Sequence, residues 1–335
     1  MSQTILVTGG AGYIGSHIVK KLCERGETVI VLDNLSQGNK SALPDECILF
    51  PWDLSKPKLL EFVFKKYQFD AVIHMAASSL VGESQLNPEK YYENNITNGL
   101  NLLNTMKRFE VNKIIFSSSA SVYGNYKMTP LTEQDELKPT NVYGQTKKMF
   151  EQILKDYDKA YDMKSICLRY FNVAGADKSG LIGEQHNPET HLIPNIIKSI
   201  IDEETFYIYG ADYDTKDKTC VRDYIHVSDV ADAHIKALNY LDKKEKSDTF
   251  NLGSNQGYSI RELINKTVFI TGKELTVVRD DRRPGDPDTL IADSTKIQNR
   301  LKWSPEYGIG DIIQSAYEFY QNEQEGKTGY KNKNK

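Results

Sequence analysis

The sequence predicts an α/β fold: a doubly wound parallel sheet of the Rossmann type, followed by a smaller mixed α/β C-terminal lobe. Three observations carry that reading. Short runs rich in Val, Ile and Leu alternate with helix-like segments through the first half. A glycine-rich turn joins the first run to the first helix. After about Asn172 the alternation breaks down, and Gly, Pro, Asp and Asn become frequent. Strands that are apolar along their whole length are buried on both faces, as in a parallel sheet covered by two helix layers.

In chain order, Thr4–Thr8 reads as a buried strand, Ile14–Arg25 as an amphipathic helix ending at Gly26, and Thr28–Leu32 as the second strand. A strand around Cys47–Phe50 and a helix over Pro57–Tyr67 follow. Then come a strand at Ala71–Met75, a long helix over Pro88–Phe109 and a strand at Lys113–Ser118. The helix after Thr140 leads to a strand at Ser165–Tyr170. Residues 1–172 are expected to form a dinucleotide-binding domain. Residues 173–335 are expected to form mainly a second lobe, with a segment at about 228–241 returning to the first.

Bulk properties narrow the function. The chain has 335 residues, 39% of them hydrophobic, enough to bury a core without staples. Its net charge of −4 offers no basic field for nucleic acid. No apolar run approaches the ~20 residues of a membrane span. The N-terminus enters the first strand almost at once, without the features of a secretory signal. Cys23, Cys47, Cys167 and Cys220 are widely spaced and contain no C-x-x-C pair, which favours buried thiols over disulfides or metal ligands. The expectation is a cytoplasmic protein with no metal site.

Gly9-Gly10-Ala11-Gly12-Tyr13-Ile14-Gly15 satisfies G-x-x-G-x-x-G and G-x-G-x-x-G in the required strand-turn-helix context. Such a turn brings backbone close to a pyrophosphate and aims helix N–H groups at it. Asp33, at the end of the second strand, would accept a hydrogen bond from an adenosine ribose and repel a 2′-phosphate, favouring NAD over NADP.

Tyr143 and Lys147 stand at i and i+4 near a helix start and share one face. An adjacent ammonium is expected to lower the tyrosine pKa, and Ser119, at a strand end, could relay its proton. Tyr123/Lys127 and Tyr240/Lys244 have the same spacing but lack that combination of helix, strand-end serine and upstream dinucleotide turn.

These residues resemble the extended short-chain dehydrogenase/reductase family, and within it the nucleotide-sugar 4-epimerases. The resemblance runs through Thr8–His17, Val81-Gly82-Glu83-Ser84, Tyr91-Tyr92-Glu93-Asn94-Asn95, Ser117–Gly124, Arg169-Tyr170-Phe171-Asn172, Val221–Val227 and Arg282-Arg283-Pro284-Gly285-Asp286. It implies NAD contacts from Tyr13, Ile14, Asp33, Asn34, Asp53, Leu54, Met75, Ala76, Ala77, Asn94, Tyr143, Lys147 and Tyr170, besides Gly9, Gly12 and Gly15. It implies a UDP-sugar substrate, with Asn172, Arg222 and Arg283 at the diphosphate, Tyr207 and Tyr209 around the uracil, and Ser119 and Tyr143 at the sugar. His191, Leu192, Asp286 and Leu290 complete the implied substrate set. A structural ion pair with Asp223 remains open for Arg222, and a packed role for His191.

Relatives that carry the 4-keto sugar further place acidic groups just after the Ser/Thr. Here Ala120 and Ser121 follow. The implied activity is therefore interconversion of UDP-galactose and UDP-glucose. Leu290 stands where the family limits the sugar 2-substituent, and leucine predicts that N-acetylhexosamines are also accepted. The family also implies a homodimer.

Overall fold

The computed structural model describes residues 2–126, 129–282 and 287–330. Strands β1 (Thr4–Thr8), β2 (Thr28–Leu32), β3 (Ile48–Phe50), β4 (Ala71–His74), β5 (Lys113–Ser119) and β6 (Lys164–Tyr170) lie within a residue of the expected runs. The helices of this half are α1 (Tyr13–Glu24), α2 (Pro57–Lys66), α3 (Val81–Leu86), α4 (Pro88–Tyr92), α5 (Asn98–Arg108) and α6 (Val142–Tyr161). The second half adds β7 (Asn172–Ala174), α7 (Leu192–Ile201), β8 (Phe206–Tyr209), β9 (Val221–His226), α8 (Val227–Lys244) and β10 (Asp248–Leu252). It continues with β11 (Gly257–Ser259), α9 (Ile260–Thr271), β12 (Val277–Asp280), β13 (Thr289–Leu290), α10 (Thr295–Leu301) and α11 (Ile309–Gln324).

The main sheet is parallel, in the order β3-β2-β1-β4-β5-β6-β10. Both faces are dry because alternate residues of each strand enter different cores. Ile5 and Val7 pack with Ile18 and Leu22 of α1 and with Val230 and Leu238 of α8. Leu6 packs with Val63 of α2, Leu102 of α5 and Phe150 of α6. The chain reverses direction across the sheet between β1 and β4, so the crevice at their C-terminal ends is the topological switch point where such sheets bind ligands.

The expected single helix over Pro88–Phe109 is interrupted. Hydrogen bonding widens to i→i+5 over Glu93–Thr97, between α4 and α5. The local cause is Asn95, buried at 5% exposure. Its side chain bonds outside the helix: it accepts from Ser78 N at 2.8 Å and donates to Ser78 O at 3.0 Å and Thr146 Oγ1 at 3.0 Å. Apolar periodicity is blind to such a widening, which often marks functional sites.

In the second half, β9 pairs with β7, β11 and β13, and β8 pairs with β12. A separate core gathers α7, α9 and α11 around Tyr213, Tyr224 and Phe319. The C-terminal segment is tied back through Asp229, whose carboxylate accepts from Glu306 N and Tyr307 N, while Trp303 Nε1 donates to its carbonyl at 3.0 Å. Among the described residues, no helix is long and apolar enough to cross a membrane.

Candidate active site

The glycine turn leaves β1 at the switch point. Gly9 adopts φ +68°, and a Cβ there would lie 2.5 Å from Ala76 N. A Cβ on Gly15 would lie 2.2 Å from the Gly9 carbonyl oxygen. The turn can therefore fold onto Met75–Ala77 only without side chains at these positions. No side chain caps α1, whereas Asn141 caps α6 and Ser259 caps α9. The first-turn donors of α1 are thus left for an anion, as a pyrophosphate site requires.

Asp33, 7% exposed, braces the turn by accepting from Ala11 N at 2.9 Å and Leu35 N at 2.8 Å, and burial raises its pKa. Asn34 donates to Asp53 at 2.6 Å, joining the loops after β2 and β3, beside buried Leu54. Asn94 Nδ2 donates to Ser78 Oγ at 3.0 Å. The Tyr170 hydroxyl lies 2.7 Å from His234 Nε2 and 3.7 Å from Met75 Sδ. Tyr13 donates to the Gly175 carbonyl at 2.6 Å, and Ile14 packs against the core of the sheet. Donor set, cradle and buried carboxylate fit an NAD dinucleotide.

The three candidate catalytic side chains, Ser119, Tyr143 and Lys147, meet at the end of β5. Ser119 pairs in register with Tyr170 and accepts from Ser121 N at 3.1 Å. Asn141 caps α6 by accepting from Gly144 N at 2.8 Å. Gly144 permits the close approach, since a Cβ there would lie 2.4 Å from Ser121 O. That contact seats the first turn of α6 on the loop after Ser119, bringing Tyr143 beside it. Lys147, 2% exposed, donates to Ser117 O at 2.6 Å and lies 5.7 Å from the centroid of the Tyr143 ring.

The expected lowering of the tyrosine pKa is not found. Burial raises Tyr143, and the Ser119 hydroxyl offsets only part of that rise. Burial also lowers Lys147 to about 7, against the opposing pull of Glu151. Desolvation outweighs both the Ser119 hydrogen bond and the Glu151 charge.

Sequence reading passed over the support behind this cluster. Glu151 is 1% exposed, accepts from Arg169 Nε at 2.9 Å and Nη2 at 2.6 Å, and accepts from Ser118 Oγ at 2.6 Å. Arg169 Nη1 donates to the Tyr123 hydroxyl at 2.8 Å, and that hydroxyl donates to Asn251 at 2.6 Å. The signal was present: Glu151 follows Lys147 by one helical turn on the same face. Tyr123 is thereby a structural tyrosine, and its spacing mate Lys127 lies outside the described residues. Tyr240 and Lys244 sit at the far end of α8.

The candidate substrate residues gather on the small sheets. Asn172 opens β7 opposite Tyr224, and Leu290 is the register partner of Arg222. Leu290, half-buried, packs against the cluster that contains Ala120 and Phe171. Arg222 Nη1 donates to Val221 O at 2.9 Å. The Asp223 carboxylate is committed elsewhere, accepting from Ser254 N, Asn255 N and Ala292 N. Tyr207 and Tyr209 alternate on β8 with buried Phe206 and Ile208, so they share the face away from that core. His191 precedes Leu192 at the start of α7, its imidazole against Glu184. Arg283 and Asp286 lie outside the described residues.

The family model for "NAD dependent epimerase/dehydratase family" matches residues 5–253. The UDP-glucose 4-epimerase of Lacticaseibacillus casei is 47% identical over 326 residues, covering 97% of this chain and 98% of its own. A crystal structure of UDP-glucose 4-epimerase from Bifidobacterium longum in complex with NAD+ and UDP superposes with a TM-score of 0.92, at 38% identity over 96% of this chain and 99% of that one. The UDP-Glc/GlcNAc 4-epimerase of Campylobacter jejuni superposes with a TM-score of 0.83, at 40% identity over 96% of this chain and all of that one.

Proposed function

The chain belongs to the NAD dependent epimerase/dehydratase family, and we infer that it catalyses NAD-dependent 4-epimerisation, interconverting UDP-galactose and UDP-glucose. The observation that carries this reading is the Ser119, Tyr143 and Lys147 cluster beside the glycine turn, followed by Ala120 and Ser121. The cluster can take a proton from the sugar 4-OH and give it back. Neither following residue supplies the acid or base that dehydration or decarboxylation needs.

Tyr143 removes the 4-OH proton, Ser119 hydrogen-bonds the phenol and sugar oxygens, and Lys147, held on Ser117 O, places positive charge over the ring. NAD, when bound by these residues, would supply the hydride acceptor and donor for C4. The glycine turn, Asp33, Asn34, Asp53, Leu54, Asn94 and Tyr170 hold the cofactor. Asn172, Arg222 and Arg283 anchor the diphosphate, Tyr207 and Tyr209 flank the uracil, and Leu192 and Asp286 complete the substrate set that the family resemblance implies. Fixed UDP with a loosely held sugar would let the hexose present either face of C4 to the cofactor. In this division of labour, residues 1–172 hold the cofactor and 173–335 mainly hold the UDP-sugar, with α8 and β10 serving the first lobe.

A second substrate class follows from Leu290, whose side chain packs against the cluster that contains Ala120 and Phe171 and leaves more room than a tyrosine. UDP-GlcNAc and UDP-GalNAc are accepted as secondary substrates. A homodimer through α5 and α6 and a cytoplasmic location, consistent with four free thiols, complete the proposal.

The test is incubation of the purified chain with UDP-galactose and no added cofactor, followed by proton NMR of the anomeric region. Growth of UDP-glucose to an equilibrium mixture supports epimerisation on retained NAD. Conversion only with added NAD and stoichiometric NADH release would identify a dehydrogenase instead.

A further inference from the structure

The loop between β7 and α7 carries a group of which the family resemblance assigns only His191. Glu184, His186, Glu189 and His191 each offer one ligand atom, and those atoms all lie within 4.8 Å of one another. Two of the four are carboxylates removed from water: Glu184 is 3% exposed, and the Glu189 side chain 5%. Glu184 Oε2, Glu189 Oε2 and His186 Nδ1 are buried without a well-formed hydrogen bond, although His186 Nδ1 lies 3.2 Å from Glu184 Oε1 and 3.7 Å from Glu189 Oε1, and His191 faces Glu184. Two nearly dry carboxylates this close must share cations, and the four groups can meet that need either as a His–Glu ion cluster or around a metal ion.

We propose that Glu184, His186, Glu189 and His191 bind one structural divalent transition-metal ion, with zinc the best match. Two imidazoles and two carboxylates are an N2O2 set, suited to zinc and its neighbours and unlike the all-oxygen sets of calcium or magnesium. Two carboxylates and one divalent cation make a neutral set with neutral imidazoles, which removes the repulsion between the carboxylates. Four protein ligands leave no open position, so the role is structural.

The surroundings say what the ion would hold. The Tyr320 hydroxyl of α11 donates to the Glu184 carbonyl at 2.8 Å. Gln185 joins Asn39 at 3.1 Å to Glu323 at 2.6 Å. The Tyr13 ring of the glycine turn lies 6.5 Å from the His186 ring, edge to face. His191 is the last residue before α7. The ion would therefore fix a loop that meets the cofactor turn on one side and the helix behind the uracil-flanking strand on the other. This inference stands apart from the epimerase reading.

The test uses the full chain, stripped with a chelator, freed of it, and titrated with cobalt(II) and then zinc. One equivalent of cobalt is expected to give the visible d–d absorption of a tetrahedral site, bleached by zinc, and zinc is expected to raise the Tm of the stripped protein. His186→Gln and Glu189→Gln, with folding verified by circular dichroism, should each weaken binding by at least about 100-fold, beyond the roughly 10–100-fold loss of an outer-shell partner. Absence of saturable cobalt absorption in the wild type would overturn the proposal, as would equal zinc uptake in wild type and both variants. Either result would identify the group as a metal-free His–Glu ion cluster.

Discussion

Lys147 lies over the ring of Tyr143 while anchored to the strand before it: Nζ is 5.7 Å from the ring centroid and donates to Ser117 O at 2.6 Å. The lysine is thus held by the strand end of β5, and its ammonium acts on the phenol through space. Behind it, Glu151 is the group that counters the loss of its charge on burial.

This arrangement predicts separable roles. Tyr143→Phe should lower kcat by roughly 10²–10⁴-fold, the usual worth of a positioned proton acceptor, with bound NAD retained. Glu151→Gln should act differently. With Lys147 already lowered to about 7, loss of the carboxylate lowers it further. The alkaline limb of kcat/KM should move to lower pH, because the active form carries the ammonium. An unmoved limb would show that Glu151 only packs. The same change unpairs buried Arg169, so a stability loss of about 3–5 kcal/mol should accompany it.

Gly15→Ala should remove cofactor binding more than it removes folding. The new Cβ meets Gly9 O at 2.2 Å, which forces the turn open where the pyrophosphate must approach. Absorbance of released dinucleotide after denaturation of the purified protein measures the occupancy, and wild-type occupancy would reject the prediction.

Asn95→Ala deletes the side chain that ties Ser78 to Thr146. Leaving those buried partners unsatisfied should cost about 1–3 kcal/mol, read as a lower denaturation midpoint. Because Ser78 also receives Asn94, NAD should dissociate faster as well.

Stability should fall on acidification from about pH 6.5. Burial holds His17, His226 and His234 at about 4 and His74 at about 3. The unfolded chain therefore takes up protons first, and the stability present above pH 6.5 is lost toward pH 4, at up to about 1.4 kcal/mol per unit for each histidine. Asp223 and Asp229, raised by burial to about 6, act in the opposite sense below that pH and offset part of the loss. Chemical denaturation between pH 7 and 4.5 measures the slope. A flat profile would mean that these histidines charge within the fold.

Leu290→Tyr should abolish conversion of UDP-GlcNAc while leaving UDP-galactose conversion within about threefold, since one bulky group filling a pocket acts mainly through size. Parallel NMR assays on both substrates check it.

Chain order and local chemistry were enough for the sheet, and they singled out the glycine turn with Asp33 and the Ser119, Tyr143 and Lys147 set as the candidate site. Each is written in residues close together in sequence: an apolar run, a fingerprint, an i,i+4 pair. The widening at Asn95, the seat of Gly144 on Ser121, the Arg169–Glu151 brace and the raised Tyr143 pKa were decided by tertiary structure alone. Each depends on which groups from distant segments share a dry interior. β10 illustrates the boundary, since Asp248–Leu252 is a short run that becomes a sheet strand only because β6 presents an open edge to it. The sequence by itself determined which groups the protein could use. The packed fold decided which of them lost water, and with it their pKa values and partners, because desolvation is a property of neighbours and not of residues.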